Sequence, residues 1–251
     1  METKAKFIRS VEGLHKLMSE YKYSTLKKGE RNYREEFLNL HYSILYKSDS
    51  IFYYEQKCLK LEKELSECWN VGSRSGKPNW MFQDPALQVE LTRNLDIYFH
   101  FIYSFFDQLA KFTRYFYWGD KWFEQYPYRN FKDHIEWVLN NEHAGFDPGY
   151  IKILKEKARF IEDARSKRTK LTHNISPIVV PIFIKKFEQE RVCFCFDLNK
   201  SDRLRGKQIS LEEFDDYGFL LVRDYILDLD KNLKSFLESY GEHFLKKLQN
   251  E

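Results

Sequence analysis

A chain of 251 residues is long enough to bury a full hydrophobic core, as one domain or as two closely packed ones. With 43% hydrophobic and 18% aromatic residues it is no disordered tail, and with only 10 Gly and 6 Pro it is not a set of many short strands joined by turns. A formal net charge of +3 does not mark a nucleic-acid protein by itself, so any basic surface must come from uneven distribution along the chain.

Helical periodicity opens the chain, with Phe7, Val11, Leu14 and Leu17 leading into a helix expected from about Tyr33 to Trp69. Within it Phe37, Leu40, Ile44, Ile51, Tyr54, Cys58, Leu61 and Leu65 draw an apolar stripe down one side. The stretch Val71 to Asn79 breaks that pattern with Gly72, Gly76 and Pro78. It divides the chain into an N-terminal helical segment, 1–75, packed on or extending a bundle, and a helical domain, 76–251. A long connection between two helices of a single bundle is the alternative.

Pro85 to Tyr117 is the most hydrophobic segment, with apolar and aromatic side chains on nearly every face, as in a helix surrounded by others. A shorter helix follows around Asn130 to Leu139, and Asp147 before Pro148 is placed to cap the next one. That next helix is basic and runs to about His173, with Ile151, Leu154, Ala158, Ile161 and Ala164 as its inward stripe. Two β-branched and aromatic runs within about 177–198 predict a hairpin, with Pro181 suited to an edge because it offers no amide hydrogen. A long amphipathic helix, with Ser210 as its N-cap, closes the chain at about Leu248. The fold class expected is mainly α, an up-and-down helical bundle with a small β-hairpin.

Cys58, Cys68, Cys193 and Cys195 lie in no zinc-like spacing, and no phosphate-cradling Gly loop or nucleophile elbow occurs, so no metal or cofactor is expected. The longest charge-free runs, 97–106 and 171–184, fall short of the roughly 20 residues of a spanning helix. Without a secretory-signal pattern either, the expectation is a cytoplasmic protein with no membrane contact.

Charge concentrates between Tyr150 and Asn174, with eight basic residues against three acidic ones. Such a run is ordinarily a solvated helix face. Its last part, Arg165-Ser-Lys-Arg-Thr-Lys-Leu-Thr-His-Asn174, brings cations, hydroxyls and an imidazole together without acidic dilution. Arg168 can grip a phosphate through two parallel hydrogen bonds, and His173 can move protons near neutral pH. Metal-free RNA cleavage needs a base for the 2′-hydroxyl, an acid for the leaving oxygen and a cation on the phosphate. Residues five apart lie about 140° apart on an ideal helix, whereas Arg165, Thr169 and His173 recur at four and share a face. Thr169 and Thr172 can hold the imidazole or a phosphate oxygen, and Arg165 and Lys170 add positive charge. The spacing also occurs at Arg9/His15, Arg34/His41, Arg93/His100 and Arg129/His134, so context alone separates Arg168. Among these, His100 lies amid Tyr98, Phe99 and Phe101 and is expected to be a core histidine. The cluster Tyr115-Phe-Tyr-Trp118, with Trp122 and Tyr126, is expected to be packed rather than to stack bases.

A basic helix ending in Arg168-Thr-Lys-Leu-Thr-His-Asn174 resembles the Arg-x4–6-His motif of the HEPN superfamily, with Thr169 where Asn, Asp or His is more usual. The resemblance covers roughly residues 85–248. It implies a metal-independent endoribonuclease cleaving single-stranded RNA, with Arg168 and His173 catalytic and a cleft formed by two copies of the chain. Arg165, Thr169, Lys170, Thr172 and Asn174 would line the substrate path, and Asp107 would take the role of an acidic residue near the motif. Such proteins serve as toxins or antiphage effectors restrained by an antitoxin or sensor partner. Other members are non-catalytic modules that bind RNA, nucleotide or protein.

Overall fold

The computed structural model describes residues 12–21, 31–74, 85–118, 130–140, 145–173, 178–184, 189–195, 208–210 and 220–250. Of 31–36, 71–74, 167–173 and most strand positions it describes the backbone alone. The described residues form a mainly α-helical bundle: α1 (12–21), α2 (Arg31–Arg74), α3 (Pro85–Trp118), α4 (Phe131–Asn140), α5 (Pro148–Lys157), α6 (Arg159–His173) and α7 (Val222–Asn250). Among the described residues four strands stand between α6 and α7: β1 (Ile178–Ile184), β2 (Gln189–Cys195), β3 (Gln208–Ile209) and β4 (Leu220–Leu221).

The chain gathers into two compact units, one of Met1–Phe52, His100–Ala164 and Asp230–Glu251, the other of Tyr53–Phe99 and Arg165–Leu229. The first unit is organised around aromatic rings. Phe106 of α3 meets Phe131 of α4 at 5.0 Å, Phe160 of α6 at 5.7 Å and Phe236 of α7 at 5.2 Å between centroids. Edge-to-face and tilted pairs of this kind add about 0.5–1.5 kcal/mol each beyond the area they bury. Tyr21 of α1 packs on Phe37 and Phe112, and its hydroxyl donates to the Tyr115 carbonyl at 2.6 Å.

In the second unit Leu61, Leu65 and Trp69 of α2, Leu91, Leu95 and Tyr98 of α3, and Val222 and Ile226 of α7 are buried. The expected hairpin is present as an antiparallel pair running from Ile178↔Cys195 to Ile184↔Gln189. It is the centre of a wider sheet, β3-β1-β2-β4, with β3 parallel to β1 and β4 antiparallel to β2. The flanking strands have two residues each, too short for an alternating pattern to show. Pro181 stands outside the β3 pairing, which takes up only Phe183 and Ile184.

Three sequence expectations are corrected. The closing helix starts at Val222 rather than at Ser210, because Leu220 and Leu221 pair with Phe194 and Cys193 instead of turning helically. The basic helix is two helices, broken at Ala158, although Leu154, Ala158, Ile161 and Ala164 still form one buried row. His100 is exposed, not core. Tyr98 and Phe99 take the buried arc of α3, and the next 100° of turn carries the imidazole outward with Arg93, seven residues earlier on the same face. Along α2 the stripe holds, except that Tyr54 is half-buried and its neighbour Glu55 is buried at 1% exposure.

Phe106→Ala should cost about 3–5 kcal/mol in urea unfolding, since it removes the ring that three helices share. Val89→Ala, at an exposed position, should stay within about 0.5 kcal/mol.

Candidate functional site

The residues that carry the RNA-cleavage expectation stand on α6 and just beyond it. Ile161 and Ala164 bury the inner face of that helix, Arg159, Glu162, Asp163 and Ser166 are exposed, and Arg165 is half-buried. The helix continues without interruption to His173. Arg165, Thr169 and His173 therefore keep their common face, while Arg168 stands about 140° from His173 around the axis. The side chains of Lys167 to His173, and all of Asn174, lie outside the described residues. Asp107 lies on α3. It belongs to the first unit, and its Oδ1 accepts the amide of Phe131 at 2.8 Å, holding the start of α4. It also faces Lys47 of α2, whose ammonium is lowered from its ordinary value by burial and partly restored by the Asp107 charge.

Sequence reading missed the densest polar constellation of the first unit, which centres on Asp147. This residue caps α5, as expected, by accepting the amide of Tyr150 at 3.0 Å. Its carboxylate also accepts from the Tyr117 hydroxyl of α3, from His243 Nε2 at 3.1 Å and from Lys247 Nζ at 3.2 Å, both of α7. Lys247 completes the group by lying 4.2 Å above the Tyr117 ring. Burial raises the Asp147 carboxyl, but His243, Tyr117 and the Tyr150 amide outweigh it and hold the group well below the usual carboxylate range. Burial, with the adjacent Asp147, pushes the Tyr117 hydroxyl far up. A carboxylate engaged by four donors is a clamp, not a base. His243 and Lys247 lie four apart in the chain, so they share a helix face, but nothing local points that face at a loop a hundred residues earlier.

Gly149 makes the clamp possible. A Cβ at this position would stand 2.7 Å from Cε1 and 2.9 Å from Nδ1 of His243. A side chain here would force the imidazole to shift from its place against Asp147.

In the second unit Glu62 of α2 is buried and meets Arg223 of α7 at 3.4 Å. Together with Arg191, Val192, Leu221 and Asp224 they line a small cavity of about 130 Å³. Burial raises the Glu62 carboxyl against the pull of Arg223 and Arg191. Cys58 and Cys193 are buried free thiols, and burial moves the Cys58 thiol well up, so it is not primed as a nucleophile. Tyr115 is buried, Tyr117 and Trp118 pack on Phe146 at 4.9 and 5.0 Å, and Trp122 and Tyr126 lie outside the described residues. No cluster of metal-ligating side chains occurs among the described residues, and none of their helices is long and apolar enough to cross a membrane. No family model, no curated protein and no solved structure matches the chain.

In a helix Gly→Ala ordinarily gains up to about 1 kcal/mol. At Gly149 the sign should reverse, with a loss of about 1–3 kcal/mol from the forced displacement of His243. Urea titrations should recover most of that loss when Gly149→Ala is placed in a His243→Ala background, where the obstructing ring is gone.

Proposed function

We propose that the chain is a HEPN-type endoribonuclease that cleaves single-stranded RNA without a metal, using Arg168 and His173. The observation that carries this reading is a helix, α6, which brings Arg165, Thr169 and His173 onto one face at the end of a stretch with eight basic residues against three acidic ones. A mainly α-helical bundle agrees with it. In the proposed reaction the 2′-oxygen attacks phosphorus and the bond to the 5′-oxygen breaks, one copy's His173 taking the 2′-hydroxyl proton, the other copy's protonated His173 giving a proton to the leaving 5′-oxygen, and Arg168 stabilising charge on the pentacoordinate phosphate. Arg165, Thr169, Lys170, Thr172 and Asn174 position the strand.

Continuity of α6 through His173 bears on how the two groups cooperate. Their angular separation on one helix favours completion of the site by a second copy of the chain, so that a guanidinium from one protomer meets an imidazole from the other. A cytoplasmic toxin or antiphage effector, restrained by an antitoxin or sensor protein, is the corresponding biological role. The same separation supports a second reading, a non-catalytic module in which the cations position an RNA or nucleotide phosphate and His173 ends the helix.

Purified protein should cut labelled single-stranded RNA in EDTA, and Arg168→Ala/His173→Ala should slow cutting by at least about 100-fold. Equal cutting by both proteins, or none by either, removes the catalytic reading. Salt-dependent binding without cleavage would establish the module instead.

A further inference from the structure

α4 is held to the first unit through one buried face. At ten residues it is too short to persist as an isolated helix in water. Phe131, His134 and Val138 are fully buried, the Phe131 amide donates to Asp107, and Trp137 packs on Trp118 at 6.3 Å and on Phe146 at 5.7 Å. Asn130 and Asp133 cap one another at its start, which shapes the first turn but binds it to nothing else.

His134 stands at the middle of that attachment. Its Nε2 lies 2.7 Å from the Tyr150 hydroxyl of α5, and its ring packs against Phe131, Phe146 and Tyr150 at 5.7 to 5.9 Å. The charged group acting on it from α3 is Arg114, itself buried at 2% exposure. From α7 Tyr240 packs on Tyr150, with the rings 6.2 Å apart, and its hydroxyl is bonded to Thr113 at 2.7 Å. Asp147, the acid of α5's cap, is engaged by Tyr117, His243 and Lys247. A proton on His134 would set a second cation beside a buried guanidinium, among aromatic rings.

We infer that His134 is a proton-sensitive latch: protonation of its imidazole releases α4 from the first unit, while the remaining helices of that unit stay folded. Burial, with a smaller contribution from Arg114, lowers the imidazole to about 3 in the closed state. In the released helix it returns to about 6.5. Because the closed-state value is the depressed one, the latch is fully closed above about pH 6.5. It weakens about tenfold for each unit of acidification towards 3. The device is independent of RNA cleavage, and its failure leaves that reading untouched.

Hydrogen exchange at about pH 7.5 and about pH 5, with each amide normalised to its intrinsic rate at that pH, tests the latch. Amides of 131–140 should lose protection about 30-fold in wild type, while those of 101–113 and 231–244 change less than about threefold. In His134→Gln, which keeps a neutral polar group beside Tyr150, the pH effect on 131–140 should vanish. An equal effect in the Gln variant, no change in wild type, or a uniform loss across α3 and α7 would overturn the proposal. Should the variant fail to fold, the contrast between α4 and α3 in wild type decides alone.

Discussion

The Asp147 carboxylate is the constraint on which most of the first unit depends. It is the end of a helix and also the meeting point of three, because α3 supplies Tyr117, α5 supplies the Tyr150 amide, and α7 supplies His243 and Lys247. A half-buried carboxylate is costly unless its lone pairs are met, and here each incoming donor relieves a cost that the others leave behind. Below it the polar chain continues inward, from Tyr150 to His134 of α4, while Thr113 and Tyr240 join α3 to α7. Aromatic and aliphatic side chains together supply the apolar burial, and these directional bonds restrict how they can pack.

Local chemistry was legible where it is local. The long helices announced themselves by period, and α2 and α3 run over nearly the spans their apolar stripes mark. Asp147 before Pro148 was readable as a cap, and the β1/β2 hairpin by its β-branched runs. What escaped notice depends on distant partners. β3 and β4 exist because β1 and β2 present edges to them, and β4 occupies Leu220 and Leu221, which a helical pattern alone would have absorbed. His243 resembled an ordinary polar residue of a C-terminal helix. Only Gly149, unexplained by propensity at the second position of α5, held a trace of the close approach. His100 shows the converse error, since aromatic neighbours in sequence are not neighbours in space on a helix.

The two polar sites thus differ in kind. Around Asp147 every charge answers another within the same unit, which favours rigidity and leaves little capacity to bind or transform a substrate. The end of α6 has cations and hydroxyls in excess of acids, and an excess of one sign is what a polyanion requires. The proposed pair, Arg168 and His173, was picked out by its basic context, since the spacing recurs elsewhere in the chain. Their cooperation was not, because it is proposed to need a second chain, and one sequence contains no record of how two copies meet.

Where a strand of RNA touches the protein is the most direct question to ask of this account. Single-stranded RNA containing 4-thiouridine, irradiated with the protein at low salt and digested for mass spectrometry, should leave its crosslinks on peptides from Arg159 to Asn174. Crosslinks confined to other helices, or none at a protein concentration that saturates binding, would contradict the assignment of α6 to the RNA.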